Sequence, residues 1–180
     1  MTKAKMKKDK NLITILIVSL FLSLIVAASY HFKGSFALFA FAGVVFAMSF
    51  SMLTELRSSG DEKFEGSLRV SPIFSTAALL FISFLIATKS LANIREPLGA
   101  NTGITYAFAV ISCIVMLVCF IMLLKENKKT ALKFLFAAVC SAVVIAQTAI
   151  GRFEFHLSLL FAAVIFVISV FNIKRAVSGN

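Results

Sequence analysis

The chain has 180 residues, 60% of them hydrophobic and only 14% charged, with a formal net charge of +10 at pH 7. That balance leaves no room for a sizeable soluble domain. Three cysteines without a Cys-x-x-Cys pair and two histidines also argue against a disulfide-stapled or zinc-organised scaffold.

Six stretches free of Asp, Glu, Lys and Arg run through the chain, at residues 11–32, 34–54, 70–88, 97–124, 134–151 and 155–173. An α-helix rises about 1.5 Å per residue, so about 20 such residues cross a hydrocarbon core. The pattern predicts an all-α integral membrane protein: a bundle of six transmembrane helices.

Residues 1–10 form a basic arm with Lys3, Lys5, Lys7, Lys8 and Lys10. The first span is predicted at about 11–31. The arm, the apolar run and Ala27-Ala28-Ser29 together resemble a signal peptide with a small-residue cleavage site. The apolar run is long for such a leader, and its removal leaves an odd number of spans, so retention is expected. The second span is placed at about 35–54, after a short connection around His31 and Ser35.

The 55–69 connection mixes four acids and three bases with Gly60 and Gly66, the composition of a solvated loop. Spans follow at about 70–90 and 103–124, separated by a longer loop in which Pro97 and Gly99 favour turns. A short basic connection leads to spans at about 131–150 and 155–173, and residues 174–180 form a tail. Residues 11–173 therefore make one bundle, and loop lengths group its helices as three consecutive hairpins.

Orientation follows from Lys and Arg. With the N-terminus inside, the inner segments hold fourteen of them and the outer segments only Lys33, Lys89, Arg95 and Arg152. Short loops keep their positive charge on the cytoplasmic side, which predicts both termini in the cytoplasm. The positive balance thus reads as topology and attraction to a lipid surface. It does not form one basic groove, and no nucleic-acid partner is expected.

Residues 41–49 and 161–169 match at five of nine positions, each in the second helix of an expected hairpin. This suggests a hairpin duplication, although two helices written in Phe, Ala, Val and Ser also match by composition. Small residues suggest how helices approach: Gly43 with Ala47, and Ala138, Ala142 and Ala146 at four-residue spacing. In lipid, close backbone approach at such residues is a main attraction. Packing inside one chain is the simpler role, and a dimer contact the alternative.

No Asp or Glu lies in any of the six windows, which weighs against a proton-coupled carrier. Ser23, Ser75, Thr76, Ser83, Ser112 and Ser141 are expected to bond to their own helices. Cys113, Cys119 and Cys140 read as small buried hydrophobes. Phosphate-loop, nucleophile-elbow and metalloprotease motifs are absent, so no catalytic residue, cofactor or metal is assigned.

One polar collection is expected at the outer ends: His31, Lys33, Lys89, Arg95, Tyr106, Gln147, Arg152 and His156, with Tyr30 beside them. It suits an anionic ligand, a lipid headgroup or a partner loop, although Tyr, Lys and Arg also simply anchor helix ends at headgroups. The two histidines at one depth raise haem ligation or quinone-linked proton transfer as a weaker option, without a supporting motif.

The function expected from these features is non-enzymatic and exerted by contact in the bilayer: an accessory or modulatory subunit, or an immunity or exclusion-type factor. The expected setting is a plasma membrane of the bacterial inner-membrane kind, with lipid, another membrane protein or a second copy as partner. The alternative is a small-solute transporter or channel without an intramembrane carboxylate.

Overall fold

The computed structural model describes residues 3–58, 72–93, 102–125, 127–150 and 154–177, with side-chain surroundings for 11–52, 76–92, 102–125, 127–150 and 155–174 except Glu126. The described residues are helical apart from short connections at 33–35, 125 and 127, with no strand among them. The helices are α1 (Lys3–Ala28), α2 (Phe36–Ser58), α3 (Pro72–Asn93), α4 (Thr102–Leu124), α5 (Lys128–Ile150) and α6 (Glu154–Val177), with one turn of 3-10 helix at Ser29–Phe32. Pro72 occupies the first position of α3, where its missing N–H is not needed. Helix α1 begins at Lys3, so the expected basic arm is helical and continuous with the first span. Lysine is a good helix former, and no Gly or Pro separates the two stretches.

Four segments are long and apolar enough to cross a membrane: Asn11–Phe32, Thr102–Leu124, Lys128–Ile150 and Phe155–Lys174, of 22, 23, 23 and 20 residues. The described apolar stretches of α2 and α3 are shorter, Phe36–Met52 and Thr76–Ala92. The apolar helices mark a multi-pass, membrane-embedded chain. Spanning helices suit these sequences because lipid offers no partner to an unpaired peptide group, and a helix satisfies its own.

Helix α2 is the hub. It packs against α1, α6, α5 and α3, and Ala37, Leu38, Ala40, Phe41, Val44 and Ala47 are fully enclosed. The other helices bury one face each. On α4 that face is Thr105, Ala109, Ser112, Met116, Cys119 and Leu123, the alternating four-and-three spacing of left-handed helix packing. The opposite face, with Ile111, Ile114, Val118 and Ile121, is exposed and just as apolar.

The expected pairing into three consecutive hairpins requires correction. Helices α1 and α2 do pack together, but the two largest interfaces join α4 to α5 and α3 to α6. Contact between α5 and α6 is slight. Lipid is as apolar as the helix surfaces, so loop length and hydrophobicity do not select partners; small residues and hydroxyls do. Ser141 Oγ donates to the Ala109 carbonyl at 2.7 Å, from α5 to α4. Ser83 Oγ donates to the Ala162 carbonyl at 2.9 Å, from α3 to α6. Each bond reaches backbone across an alanine, which requires the two helices to lie close. Helices α1 and α2 are joined by Ser19 and Ser49, whose Oγ atoms are 2.8 Å apart.

The alanine stripe on α5 is also corrected. Ala138 is buried, but Ala142 and Ala146 are exposed on the outside of the bundle, so the three do not form one packing face within the chain. The buried face of α5 instead runs through Ala131, Phe134, Ala137, Ser141 and Val144. Gly43 and Ala47 do lie in the interior contact of α2. A Cβ built on Gly43 meets Ile165 Cδ1 at 2.9 Å and Ile86 Cδ1 at 3.2 Å.

The matching segments 41–49 and 161–169 lie in helices that pack against each other. Phe41 and Phe161 occupy the same level, with ring centroids 6.2 Å apart. Ala42, Val45 and Ser49 are buried, as are Ala162, Ile165 and Ser169. The two segments thus meet the same packing demand.

Candidate functional site

The polar collection expected from the sequence centres on the turn between α1 and α2. Helix α1 tightens into the 3-10 turn, and Lys33 then adopts the left-handed conformation, with φ 62° and ψ 28°. The Gly34 N–H donates to the Ser29 carbonyl at 3.0 Å. The chain passes so close there that a Cβ on Gly34 would sit 2.8 Å from the same oxygen. Ser35 then caps α2: its Oγ accepts the Leu38 N–H at 3.1 Å. The Ser35 N–H donates to Thr105 Oγ1 at 3.0 Å, fixing this turn to the start of α4.

An aromatic cluster grows from the same turn. The Tyr30 ring lies 5.8 Å from Phe36 and 5.4 Å from Phe39, and Phe36 lies 5.9 Å from Phe155 at the start of α6. Lys89, near the end of α3, places Nζ 4.8 Å from the Tyr30 ring centroid and 5.5 Å from that of Phe36. An ammonium over an aromatic face is stabilised by the ring quadrupole, by about 0.5–1 kcal/mol at an exposed site. Ends of α1, α2, α3 and α6 are therefore tied together at one level.

The sequence-predicted residues divide as follows. Lys89 joins the aromatic cluster, while its residue surface stays exposed. His31 and Lys33 lie exposed in the turn, and His156 is exposed one position after Phe155. Tyr106 and Gln147 are half-buried at the start of α4 and near the end of α5. Arg95 and Arg152 lie outside the described residues. Among the described residues, no group of three His, Cys, Asp or Glu side chains is placed to hold a metal ion. Sequence reasoning missed Phe36, Phe39, Phe155 and Thr105. The signal available was the aromatic run opening α2, beside Tyr30 in the preceding turn.

A second polar locus lies at the opposite end. Lys133 of α5 donates from Nζ to Ser51 Oγ of α2 at 3.3 Å. Beside it is a cleft between α2, α4 and α5, lined by Met48, Ser49, Met52, Met116, Thr130 and Phe134 among others. Its volume is about 10 Å³, room for about one water. Toward the interior, Ser49 is already bonded to Ser19 and to the Val45 carbonyl at 2.8 Å. The cleft is a packing gap with a polar lip.

The thiols contribute little to either end. Cys113 Sγ lies 3.8 Å from the Ala138 carbonyl between α4 and α5, and Cys119 and Cys140 are buried. No protein-family model and no curated protein sequence matches this chain.

Proposed function

We propose that the six helices cross the membrane six times, with both termini in the cytoplasm of a bacterial-type cell, and that the protein works by contact within the bilayer. In this reading it is an accessory or modulatory subunit, or an immunity or exclusion-type factor, and it catalyses no reaction. The orientation is supported by fourteen Lys and Arg residues on the assigned inner segments against four outside.

The observation that carries the contact reading is the filled interior. Phe41, Phe161, Leu38, Met52, Met116 and Ile165 are fully enclosed around the hub. Hydroxyls at that depth are held by carbonyls: Ser112 by Phe108, Ser169 by Ile165 and Thr148 by Val144. A solute path needs unfilled space and polar groups turned toward it. The hydroxyls of the described interior are spent on carbonyls of their own helix or of a neighbouring one, while its outer faces present Ile, Leu, Val and Phe. Such a body acts through its surface.

Three measurements test this. Reporter fusions after Lys33, Gly99 and Arg152 are expected to read external, and those after Gly60, Lys128 and Asn180 internal. An external C-terminus overturns the topology. For the mechanism, proteoliposomes are expected to pass ions and small neutral solutes no faster than empty vesicles. A photocrosslinker at exposed Ile114 or Val143 in native membranes is expected to give a discrete protein adduct. Solute flux abolished by Gly43→Leu would overturn the contact reading in favour of transport.

A further inference from the structure

The turn between α4 and α5 places Lys125, Lys128, Lys129 and Lys133 within nine residues, with Glu126 as the acid among them. The turn is tight. The Asn127 N–H donates to the Leu123 carbonyl at 2.8 Å, and Asn127 Oδ1 accepts the Thr130 N–H at 3.2 Å. One residue thus closes α4 and caps α5, which holds the lysines in a small area. Lys125, Lys128 and Lys129 are exposed, and Lys133 is half-buried one turn deeper.

The charge here has the wrong sign for its place in the helix. The first turn of α5 contains Lys128 and Lys129 and no acidic residue. A helix N-terminus carries a partial positive charge and disfavours cations. Neighbouring ammoniums add mutual repulsion, which an anion lying over them relieves. Directly below, the surroundings change character. Lys133 sends Nζ to Ser51, while its stem lines the cleft with Val45, Met48, Met52, Met116 and Phe134. A cationic rim above an apolar, methionine-walled cleft is complementary to an amphiphile with an anionic head.

We propose that this rim and cleft are a site for one anionic phospholipid. Its phosphate lies among the ammoniums of Lys128, Lys129 and Lys133, and the first carbons of one acyl chain run into the cleft between α2, α4 and α5. The proposal rests on the membrane reading above. Met48, half-buried at the cleft, is unbranched and adaptable, so it can turn aside to admit the first carbons of a chain where there is now room for about one water. Basic residues flanking a membrane helix generally attract anionic lipid surfaces. The cleft beneath the rim is what makes this place a site rather than only a charged surface. The N-terminal Lys3, Lys5 and Lys7 supply the comparison, as the basic segment that opens the chain.

The test is lipid binding to the full chain in mild detergent, read by native mass spectrometry and by the thermal-unfolding midpoint. Phosphatidylglycerol is expected to bind at one per chain and raise the midpoint, and phosphatidylcholine of the same chain length to do neither. Lys128→Gln, Lys129→Gln and Lys133→Gln together are expected to weaken phosphatidylglycerol binding roughly tenfold or more. Lys3→Gln, Lys5→Gln and Lys7→Gln together, with the same loss of charge, are expected to leave it within about twofold. Glycerol phosphate, the headgroup without acyl chains, is expected not to bind.

Equal binding of the two lipids overturns the proposal. Equal weakening by the two triple variants reduces it to general charge attraction, and binding of glycerol phosphate makes the locus a free-anion site. Should the triple variant fail to accumulate, Lys133→Gln alone carries the test, with no change in affinity counting against the site. Detergent binding has no leaflets, so it stands or falls separately from the orientation read by the fusions and from the flux measurement.

Discussion

Gly43 is the only glycine in the interior of the six helices, and it lies where α2 meets both α3 and α6. Replacing it with alanine puts a methyl group 2.9 Å from Ile165 Cδ1, 3.2 Å from Ile86 Cδ1 and 3.7 Å from Ile82 Cγ2. Carbon atoms prefer about 3.5–4.0 Å, so the first two contacts are too short by a few tenths of an ångström or more. Both clashing atoms end flexible side chains and can rotate away. Alanine also has a higher helix propensity, by about 1 kcal/mol in water. Gly43→Ala is therefore expected within about 1 kcal/mol of the parent.

Leucine adds three further carbons toward Ile165 and Ile86, which are themselves enclosed. Overpacking of this kind costs about 1–3 kcal/mol, and Gly43→Leu belongs at the upper end because two helices must move. Ala142→Leu is the control: Ala142 is exposed, and a surface substitution there is expected to change stability by less than about 0.5 kcal/mol. The assay is reversible unfolding in mixed micelles. Adding Ile165→Val to Gly43→Leu opens space at the clash and is expected to recover part of the loss, a non-additivity characteristic of touching residues. Equal tolerance of leucine at 43 and 142, or no recovery from the second substitution, would refute the assignment of Gly43 to this contact.

Other expectations follow from the same contacts. Gly34→Ala, whose Cβ meets the Ser29 backbone oxygen at 2.8 Å, is expected to lower stability by about 1–3 kcal/mol, because a backbone atom cannot rotate aside; an unchanged midpoint would contradict the close approach. Lys33→Asn is expected to raise stability by a few tenths of a kcal/mol, since asparagine tolerates the left-handed conformation better than lysine, and a fall in the unfolding midpoint would argue against that backbone geometry. Ser141→Ala and Ser83→Ala each remove one interhelical bond and are expected to cost about 0.6 kcal/mol, additively because they join different helix pairs; a double-mutant cycle checks the sum. Lys89→Gln is expected to cost about 0.5–1 kcal/mol, and much less in a Tyr30→Leu, Phe36→Leu background, where the rings under the ammonium are gone.

The presence and type of all six helices were legible in the sequence because their windows are long and uninterrupted, and lipid leaves the backbone no other way to satisfy itself. Each uncharged window lies largely within one helix, and lysines extend α1 beyond its window. Partner choice was not legible. The exposed face of α4, through Ile114 and Ile121, is as apolar as its buried face, so periodicity does not separate lipid from protein. Ser23 and Ser112 bond within their own helices, as expected of hydroxyls in lipid. Ser83 and Ser141 cross to a neighbour instead, and nothing in their local sequence distinguishes the two behaviours. Lys89 meets Tyr30 and Phe36 at one end of the bundle, whereas in the sequence Phe36 and Phe155 read as ordinary apolar positions, because a ring's role here depends on which helix ends meet.

The central position of α2 also sets a timetable for assembly. Phe41 and Phe161, whose rings meet in the core, are about 120 residues apart in the chain. At about 5–20 residues per second of synthesis, α2 enters the bilayer about 6–24 s before α6 exists. During that interval α1, and then α3 and α5, become available to cover it, and the side facing α6 is occupied by lipid or by an insertion chaperone. A ribosome that stops before α6 leaves that side of the hub uncovered, with Phe41 open to the bilayer and to membrane proteases. The arrival of α6 is thus the step that closes the hub, and any nonsense codon ahead of it yields a product recognisable as unfinished.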